Sequence, residues 1–341
     1  GELPVPQRVF GTALPWRQLF SQTRIDFLGI VKSGPFIIIA IFGLANLVGG
    51  LTQATDFYGL SMHPVTYNII SIIRGNLFLF TFGILVFYSG ELVWKERTAR
   101  VDQIYDALPH PSWVTAVAKL LAMVGVLAVL QLIAILAGVT AQALYGYTQF
   151  ELGVYVKELL VIDLLGLTFM AVMSMLLHTL INNKYIAYFA FVVFFILNLF
   201  IWAPLEIQSV MFQYGQTPGY TYSDMNGFGP FVPGLVWFNL YWLLFAALLV
   251  LAFTFLWVRG KDQAMGYRFR EARRGFTGRP RFLSFAFLGL WLLTGAFVYY
   301  NTQVKNEYRS VKEEERRQAA YEKTYKAAYQ NMLLPRAADI K

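Results

Sequence analysis

The chain has 341 residues, of which 57% are hydrophobic and 14% are charged, and its mean hydropathy is +0.50. These values exclude an ordinary soluble domain, because the apolar residues fall in runs near or above the ~20 residues that cross a bilayer. The net charge of +8 comes from loops beside those runs, so it marks one membrane face and not a nucleic-acid site. The chain lacks cysteine, which excludes disulfides and thiolate metal sites.

The first 33 residues predict a cytoplasmic linker followed by an amphipathic helix in the membrane interface. Residues 16–33 place aromatic and aliphatic side chains opposite Arg17, Arg24 and Lys32, a distribution typical of helices that lie in the interface plane. A helix of a soluble core is the alternative for this stretch.

Seven apolar runs predict an all-α membrane protein with seven spans. Residues 34–258 form a six-span domain, whose spans lie at about 35–51, 65–93, 113–144, 159–181, 185–203 and 235–258. A basic loop at 259–281 leads to a seventh span at about 282–300. Residues 301–341 are rich in charge and in helix formers, and they predict a solvated helical stalk.

Lysine and arginine predict the orientation of these spans. Cations are dense in residues 8–32, 95–100 and 259–281, and almost absent from the intervening loops. The positive-inside rule therefore places the amino end in the cytoplasm and the carboxyl tail outside it.

A short charged segment, GELVWKERTARVDQIYDALPHP at 90–111, separates the second span from the third. Val101, Ile104, Tyr105 and Leu108 follow the i, i+3, i+4, i+7 spacing of one helix face. The two prolines at the end of the segment stop a helix. The pattern predicts a surface helix over 95–108 that lies along the membrane face and receives a partner.

Glu91 and Glu96 stand at the end of the second span. Glu91 has Lys95 four residues on, a spacing that suits a solvated helical ion pair. The alternative is that Glu91 and Glu96, with Arg97, fix the turn into the surface helix.

Arg74 and Asp163 are charges well inside apolar runs, at comparable depth in the second and fourth spans. Leaving either one unpaired in a bilayer costs roughly 2.5–3.5 kcal/mol. A mutual ion pair is therefore our hypothesis, and the alternative is that each side chain snorkels or lines a wet cavity.

Motifs for chemistry are missing from the sequence. It has no G-x-x-x-x-G-K-[ST] loop for ATP, no H-E-x-x-H zinc motif and no G-x-S-x-G nucleophile. Its three histidines, His63, His110 and His178, are far apart. We predict no catalytic, cofactor-binding or metal-binding residue in this chain.

The segment ELVWKER at 91–97 with DALP at 106–109, and the Pro/Gly-rich stretch before the sixth span, resemble an ABC-2 type transporter permease. The resemblance is to the second half of bacterial tandem permeases fused to an extracytoplasmic zinc aminopeptidase. It implies a multi-pass protein of the bacterial inner membrane with a second permease half. It also implies a partner ATPase dimer that holds ATP and magnesium, and a zinc site only in a domain beyond Lys341.

In such permeases the segment between the second and third spans is the coupling helix, which docks on the ATPase. Carried over, this implies ATPase contacts at Arg97, Arg100, Val101, Ile104, Tyr105 and Leu108. The expected function is export of, or mechanical action on, a peptide, lipid or hydrophobic substrate. Two alternatives stay open: a passive anchor for an outside peptidase, and an ion-coupled secondary transporter with Arg74 and Asp163 in its ion path.

Overall fold

The computed structural model describes residues 13–53, 56–57, 60–61, 63–107, 110–205, 207, 209–257, 265–306, 309 and 311–330. These residues form an all-α architecture, apart from two-residue strands β1 (Asp56–Phe57) and β2 (Leu60–Ser61), which pair antiparallel in one loop. The helices are α1 (Leu14–Val31), α2 (Gly34–Leu51), α3 (Thr66–Thr98), α4 (Asp102–Asp106), α5 (Ser112–Leu144), α6 (Leu152–Tyr155), α7 (Leu164–Leu180), α8 (Lys184–Phe200), α9 (Phe231–Leu256), α10 (Met265–Gly275), α11 (Gly278–Tyr299) and α12 (Val311–Tyr329). A π-helical stretch, Val156–Asp163, joins α6 to α7, and a second one, Tyr300–Lys305, extends α11.

Six helices of the described chain are long and apolar enough to cross a membrane: Gly34–Leu51, Thr66–Thr98, Ser112–Leu144, Leu152–Leu180, Phe231–Leu256 and Gly278–Lys305. The fifth predicted span is shorter than expected, because α8 has only 17 residues and the chain turns at 201–205, around Pro204. At 1.5 Å per residue, α8 is about 26 Å long, against a hydrocarbon core of about 30 Å. By length and composition, the described residues therefore contain six candidate spans and this shorter apolar helix, where seven spans were predicted.

α3 stands at the centre of the bundle and packs against α2, α5, α7 and α8. The core around it is built from fully buried aliphatic and aromatic side chains such as Leu85, Met123 and Phe169. Gly90 lies under the outer end of the Tyr188 ring of α8, which a Cβ at that position would displace. Many outward-facing side chains of the spans are exposed and apolar, as expected for a surface that lipid covers.

α1 packs lengthwise on the first half of α5. Leu19 is buried against Val114 and Ala118, and the Trp16 ring meets the Trp113 ring edge-on at 5.7 Å. The helix therefore rests on the bundle through a narrow buried stripe that includes Asp26, a charge that the amphipathic pattern did not place on that face.

The two ends of the bundle carry different connections. The end with the α3–α5, α7–α8 and α9–α10 connections is called the α4 end here. The opposite loop end carries the α2–α3, α5–α6 and α8–α9 connections. The α8–α9 connection is irregular but packed: Asn198 holds the backbone of Tyr214, and the Tyr214 hydroxyl donates to the Phe169 carbonyl oxygen at 2.8 Å. Beyond α11, the side chains that are described on α12 are all exposed.

Candidate functional site

The predicted surface helix at the α4 end is divided in two. α3 continues through Thr98, and the backbone then turns at Arg100, which has a φ of 56° in the left-handed region. The Val101 amide donates to the Glu96 carbonyl oxygen and closes the last turn of α3, as in a helix C-cap. The single helix predicted over 95–108 is therefore wrong, since α4 covers only Asp102–Asp106. Leu108, a predicted contact residue, lies outside the described residues.

The apolar residues of this segment point in different directions. Ile104 is 74% exposed and Val101 is 43% exposed, so both lie at the surface of the bundle end. Tyr105 is half-buried, and its ring meets the His110 ring edge-on at 5.0 Å. The result is a small apolar tip, Val101 and Ile104, on an otherwise polar connection.

The two predicted arginines both precede this tip, at the end of α3 and in the turn that follows it. The Arg97 guanidinium lies over the Trp94 ring, 5.1 Å from its centroid, on the last turns of α3. Arg100 is exposed at the turn itself. Cations next to an exposed apolar tip suit a partner surface that combines apolar and acidic groups.

Glu96 fixes the base of the connection by an ion pair across it. The Lys119 ammonium on α5 contacts both Glu96 carboxylate oxygens at 2.8 Å and donates to the Leu92 carbonyl oxygen at 2.5 Å. Lys119 is fully buried. Since Glu96 lies in the last turn of α3 and Lys119 near the start of α5, the pair joins the two helices at the connection that contains α4.

The local Glu91–Lys95 pair is not formed, so that alternative is wrong. Glu91 instead contacts the Lys184 ammonium at the start of α8, at 2.5 Å. Lys95 contacts the buried Asp26 carboxylate of α1, at 2.6 Å. Adjacent turns of α3 thus face different neighbours, and Glu91 and Lys95 each pair with another helix. Glu91 therefore ties α3 to α8 and does not shape the turn into α4.

A small cavity of about 40 Å³ lies under α4. It is lined by Val93, Glu96, Arg97, Asp102, Tyr105, His178, Thr179, Leu256, Trp257 and Arg268. His178 is buried at the end of α7, its ring meets the Tyr188 ring edge-on at 4.7 Å, and neither ring nitrogen has a hydrogen-bond partner among the described residues. The cavity brings α4 next to the ends of α3, α7 and α9 and to α10.

Arg74 and Asp163 lie together nearer the loop end. The Arg74 Nε and Nη2 atoms donate to Asp163 Oδ2 and Oδ1 at 2.8 and 2.9 Å, a bidentate geometry. Glu158 also contacts Arg74 Nη2, at 2.7 Å. One cation therefore serves two carboxylates, and the cluster carries one excess negative charge when all three groups are ionised.

The π-helical stretch explains how both carboxylates reach one arginine. Glu158 and Asp163 are five residues apart, which in an α-helix would put them about 140° apart around the axis. A π-helix forms i→i+5 hydrogen bonds, so residues five apart fall on the same side. The π-helical stretch, Val156–Asp163, therefore turns Glu158 and Asp163 toward α3 together.

The α8–α9 connection closes over this cluster. The Tyr220 hydroxyl accepts from Arg74 Nη2 at 2.6 Å and donates to Glu158 Oε2 at 3.4 Å. Burial raises the pKa of Tyr220 to about 12. Tyr222 donates to Glu151 at 2.9 Å, and this hydrogen bond is the main reason why the pKa of Tyr222 is raised to about 12. Two tyrosines thus attach the connection to the end of the Leu152–Leu180 span.

Sequence reasoning missed Asp26, Lys119 and Glu158. The sequence does mark Lys119 as a candidate for a buried ion pair, since it is the one charged residue in the apolar run 113–144. The sequence does not mark Asp26 or Glu158 in this way, because both lie in stretches that contain other charges and their burial depends on tertiary packing.

Within the described ranges, no group of three or more His, Asp or Glu side chains is arranged to hold a metal ion. Comparison of the chain with models of known protein families, with curated proteins and with solved structures returned no match.

Proposed function

We propose that this chain is the transmembrane permease subunit of an ATP-binding cassette transporter of ABC-2 type, and that α4 receives a partner ATPase. The observation that carries the proposal is the exposed apolar tip, Val101 and Ile104, between the two longest helices of the described chain. An exposed apolar group held on a rigid base is a typical anchor of a protein–protein contact.

The base of the tip supports this role. α3 and α5 have 33 residues each, or about 50 Å, so both are long enough to project beyond a core of about 30 Å. The buried pair of Glu96 and Lys119 joins them where they project. A force on Ile104 therefore moves α3 and α5 together and does not simply bend the connection.

The other ion pairs of α3 extend this path. Glu91 links α3 to α8 through Lys184, and Lys95 links it to α1 through Asp26. On this proposal ATP and magnesium act on the partner, and a partner can shift the bundle only by binding one of its states more tightly. This chain supplies the docking surface and the helices that transmit the motion.

The proposal also includes a class of substrate and a cellular membrane. The surfaces between the spans are aromatic and aliphatic, which suits a peptide, a lipid or a hydrophobic small molecule. The proposed setting is a bacterial inner membrane, with the α4 end cytoplasmic, a second permease half beside it and an extracytoplasmic aminopeptidase domain further along the chain.

Site-directed cross-linking tests the proposal. Because the sequence contains no cysteine, an introduced cysteine is the only thiol of the chain that can react. Ile104→Cys, treated with a thiol-to-amine cross-linker in native membranes, should attach a nucleotide-binding subunit. Met225→Cys, fully exposed in the α8–α9 connection, is the matched control and should attach none. Cross-linking of Ile104→Cys to lipid or to nothing, with an ATPase absent from the purified assembly, would refute the proposal.

A passive anchor for an outside peptidase predicts a different result. Ile104→Asp would then leave both complex composition and activity unchanged, because no coupling surface would be needed. On our proposal it weakens ATPase binding at least about tenfold, which corresponds to about 1.4 kcal/mol.

An ion-coupled secondary transporter is the second candidate, and the unbalanced Arg74–Glu158–Asp163 cluster favours it. It predicts uptake or efflux in proteoliposomes that follows an imposed proton gradient without ATP. The ABC-type proposal predicts transport only with the partner and ATP.

A further inference from the structure

The short helix α10 is fixed to the α4 end through one buried arginine. Arg268 is 3% exposed, and its guanidinium donates to the Thr179 carbonyl oxygen and to Asn182 Oδ1 in the α7–α8 turn. A single inward side chain on an otherwise exposed helix sets the rotation of that helix about its axis. The other side chains that are described on this helix are exposed, apart from the half-buried Ala272.

The far end of α10 is fixed by an aromatic contact. Phe276, the first residue after the helix, packs edge-on against Phe255 of α9 at 5.6 Å and against Phe285 of α11 at 6.1 Å. α9 and the helix that starts with α11 are two of the candidate spans. α10 is therefore held level with the ends of membrane spans, where lipid headgroups begin.

The outward side of α10 and the first turn of α11 are strongly basic. Residues 265–281 contain six arginines and one glutamate, a net charge of 6 − 1 = +5. Arg268 faces inward and Arg274 contacts Glu271 at 3.4 Å. The other four, Arg270, Arg273, Arg279 and Arg281, are exposed, and none of them pairs with a carboxylate among the described residues.

Two aromatic side chains share this surface. Tyr267 is 42% exposed and Phe269 is 55% exposed, one on each side of the inward Arg268. Exposed aromatic rings among cations are typical of helices that bind the headgroup region of anionic membranes, because the rings enter the interface while the cations meet phosphate.

We infer that the α10 surface, formed by Tyr267, Phe269, Arg270, Arg273, Arg279 and Arg281, binds the anionic phospholipid headgroups of the same bilayer that the spans cross. Charge complementarity and the position between two spans carry this inference. It does not depend on the proposed ATPase partner, because the lipid lies beside the chain whatever docks on α4.

Hydrogen exchange of the full chain in nanodiscs tests the inference. Amides of 266–275 should exchange at least about fivefold more slowly in discs that contain phosphatidylglycerol than in phosphatidylcholine alone, since each basic residue at an anionic surface contributes about that factor. High salt should reduce the difference, because it screens exposed charges. Equal exchange in the two lipids would overturn the inference.

Matched variants locate the effect. Arg270→Gln, Arg273→Gln and Arg279→Gln together should abolish the lipid-dependent protection, whereas the three lysine replacements should keep it. Removing three cations from the exposed α12, by Arg316→Gln, Lys323→Gln and Lys326→Gln, is the control and should leave the protection intact. Protection that persists in the α10 glutamine variant would overturn the inference.

Two further experiments distinguish binding of lipid headgroups from binding of other anions. Inorganic phosphate added to phosphatidylcholine discs should give little protection, and equal protection would show a free-anion site instead of a lipid surface. Protection that appears only when an acidic partner protein is added, and not with phosphatidylglycerol, would assign the surface to that protein and refute the lipid assignment. Equal melting temperatures of all variants in phosphatidylcholine exclude misfolding as the cause.

Discussion

Where α3 pairs with other helices at the α4 end, each carboxylate faces one lysine, whereas nearer the loop end one arginine faces two carboxylates. The α4-end pairs are Asp26–Lys95, Glu91–Lys184 and Glu96–Lys119, and the other cluster is Arg74 with Glu158 and Asp163. All of them involve α3. Balanced pairs hold helices in one arrangement, while an unbalanced cluster keeps a charge that a proton or a cation can neutralise. On our proposal the α4 end therefore serves as a mechanical connection, whereas on the alternative of an ion-coupled transporter the other cluster responds to ions.

The largest expected effect is at Lys119. Lys119→Met leaves the Glu96 carboxylate without its cation in a buried site, so we expect a loss of about 3–5 kcal/mol in the free energy of unfolding. The measurement is denaturant unfolding in lipid micelles. The Glu96→Gln, Lys119→Met double variant should recover most of the loss, because no charge remains; an unchanged single variant would contradict the mechanical connection.

Arg74→Gln should have the next largest effect. It leaves two carboxylates without their cation and leaves the Tyr220 hydroxyl with only its 3.4 Å contact to Glu158. The Arg74 side chain is 36% exposed, which limits the loss to about 1–3 kcal/mol. Faster proteolysis of the 204–230 connection is the expected readout. Cleavage at the wild-type rate would show that Tyr220 does not depend on Arg74.

Glu158→Gln tests the imbalance directly. Asp163 keeps its bidentate contact with Arg74 in this variant, and the excess charge disappears, so stability should change by less than about 1 kcal/mol in either direction. Asp163→Asn should be more costly. If Glu158→Gln destabilises the chain as much as the equivalent Glu96→Gln does, the contrast between the two clusters is incorrect.

The smallest effect is expected at Lys184. The Lys184 and Glu91 side chains are 20% and 34% exposed, so Lys184→Gln should cost about 0.2–1 kcal/mol, and less at high salt. Parallel melting curves at low and high salt measure it. A salt-independent loss would show that Lys184 acts through packing and not through its charge.

The long apolar runs made most of the fold predictable, since hydropathy over some twenty residues exceeds any local preference. The third predicted span, 113–144, matches α5 within one residue. The proximity of Arg74 and Asp163 followed from two isolated charges at similar depth. The pairing of α3 with α1 and α8 could not be predicted, because these charges lie outside the apolar runs or at their ends, where water is an alternative partner.

The surface helix shows where periodicity misled. An i, i+3, i+4, i+7 pattern over 101–108 predicted one continuous helix face, yet the left-handed backbone at Arg100 separates α4 from α3, and Tyr105 turns partly inward while Ile104 is exposed. A left-handed residue that is not glycine leaves no mark in the apolar pattern. Sequence reasoning identified the segment but not its shape.

The π-helical stretch between α6 and α7 makes the register of one span adjustable. An added residue in a helix rotates everything before it by about 100° relative to everything after it. Before the stretch, Tyr155 is buried with its hydroxyl on Gln142; after it, Phe169 faces the core. Deleting one residue from 156–163 would therefore rotate the first half of the span about its axis and leave the second half in its present orientation. An insertion or a deletion in this stretch changes which side chains of the Leu152–Leu180 span face Arg74. A substitution changes only one side chain and leaves the rotation of the span as it is.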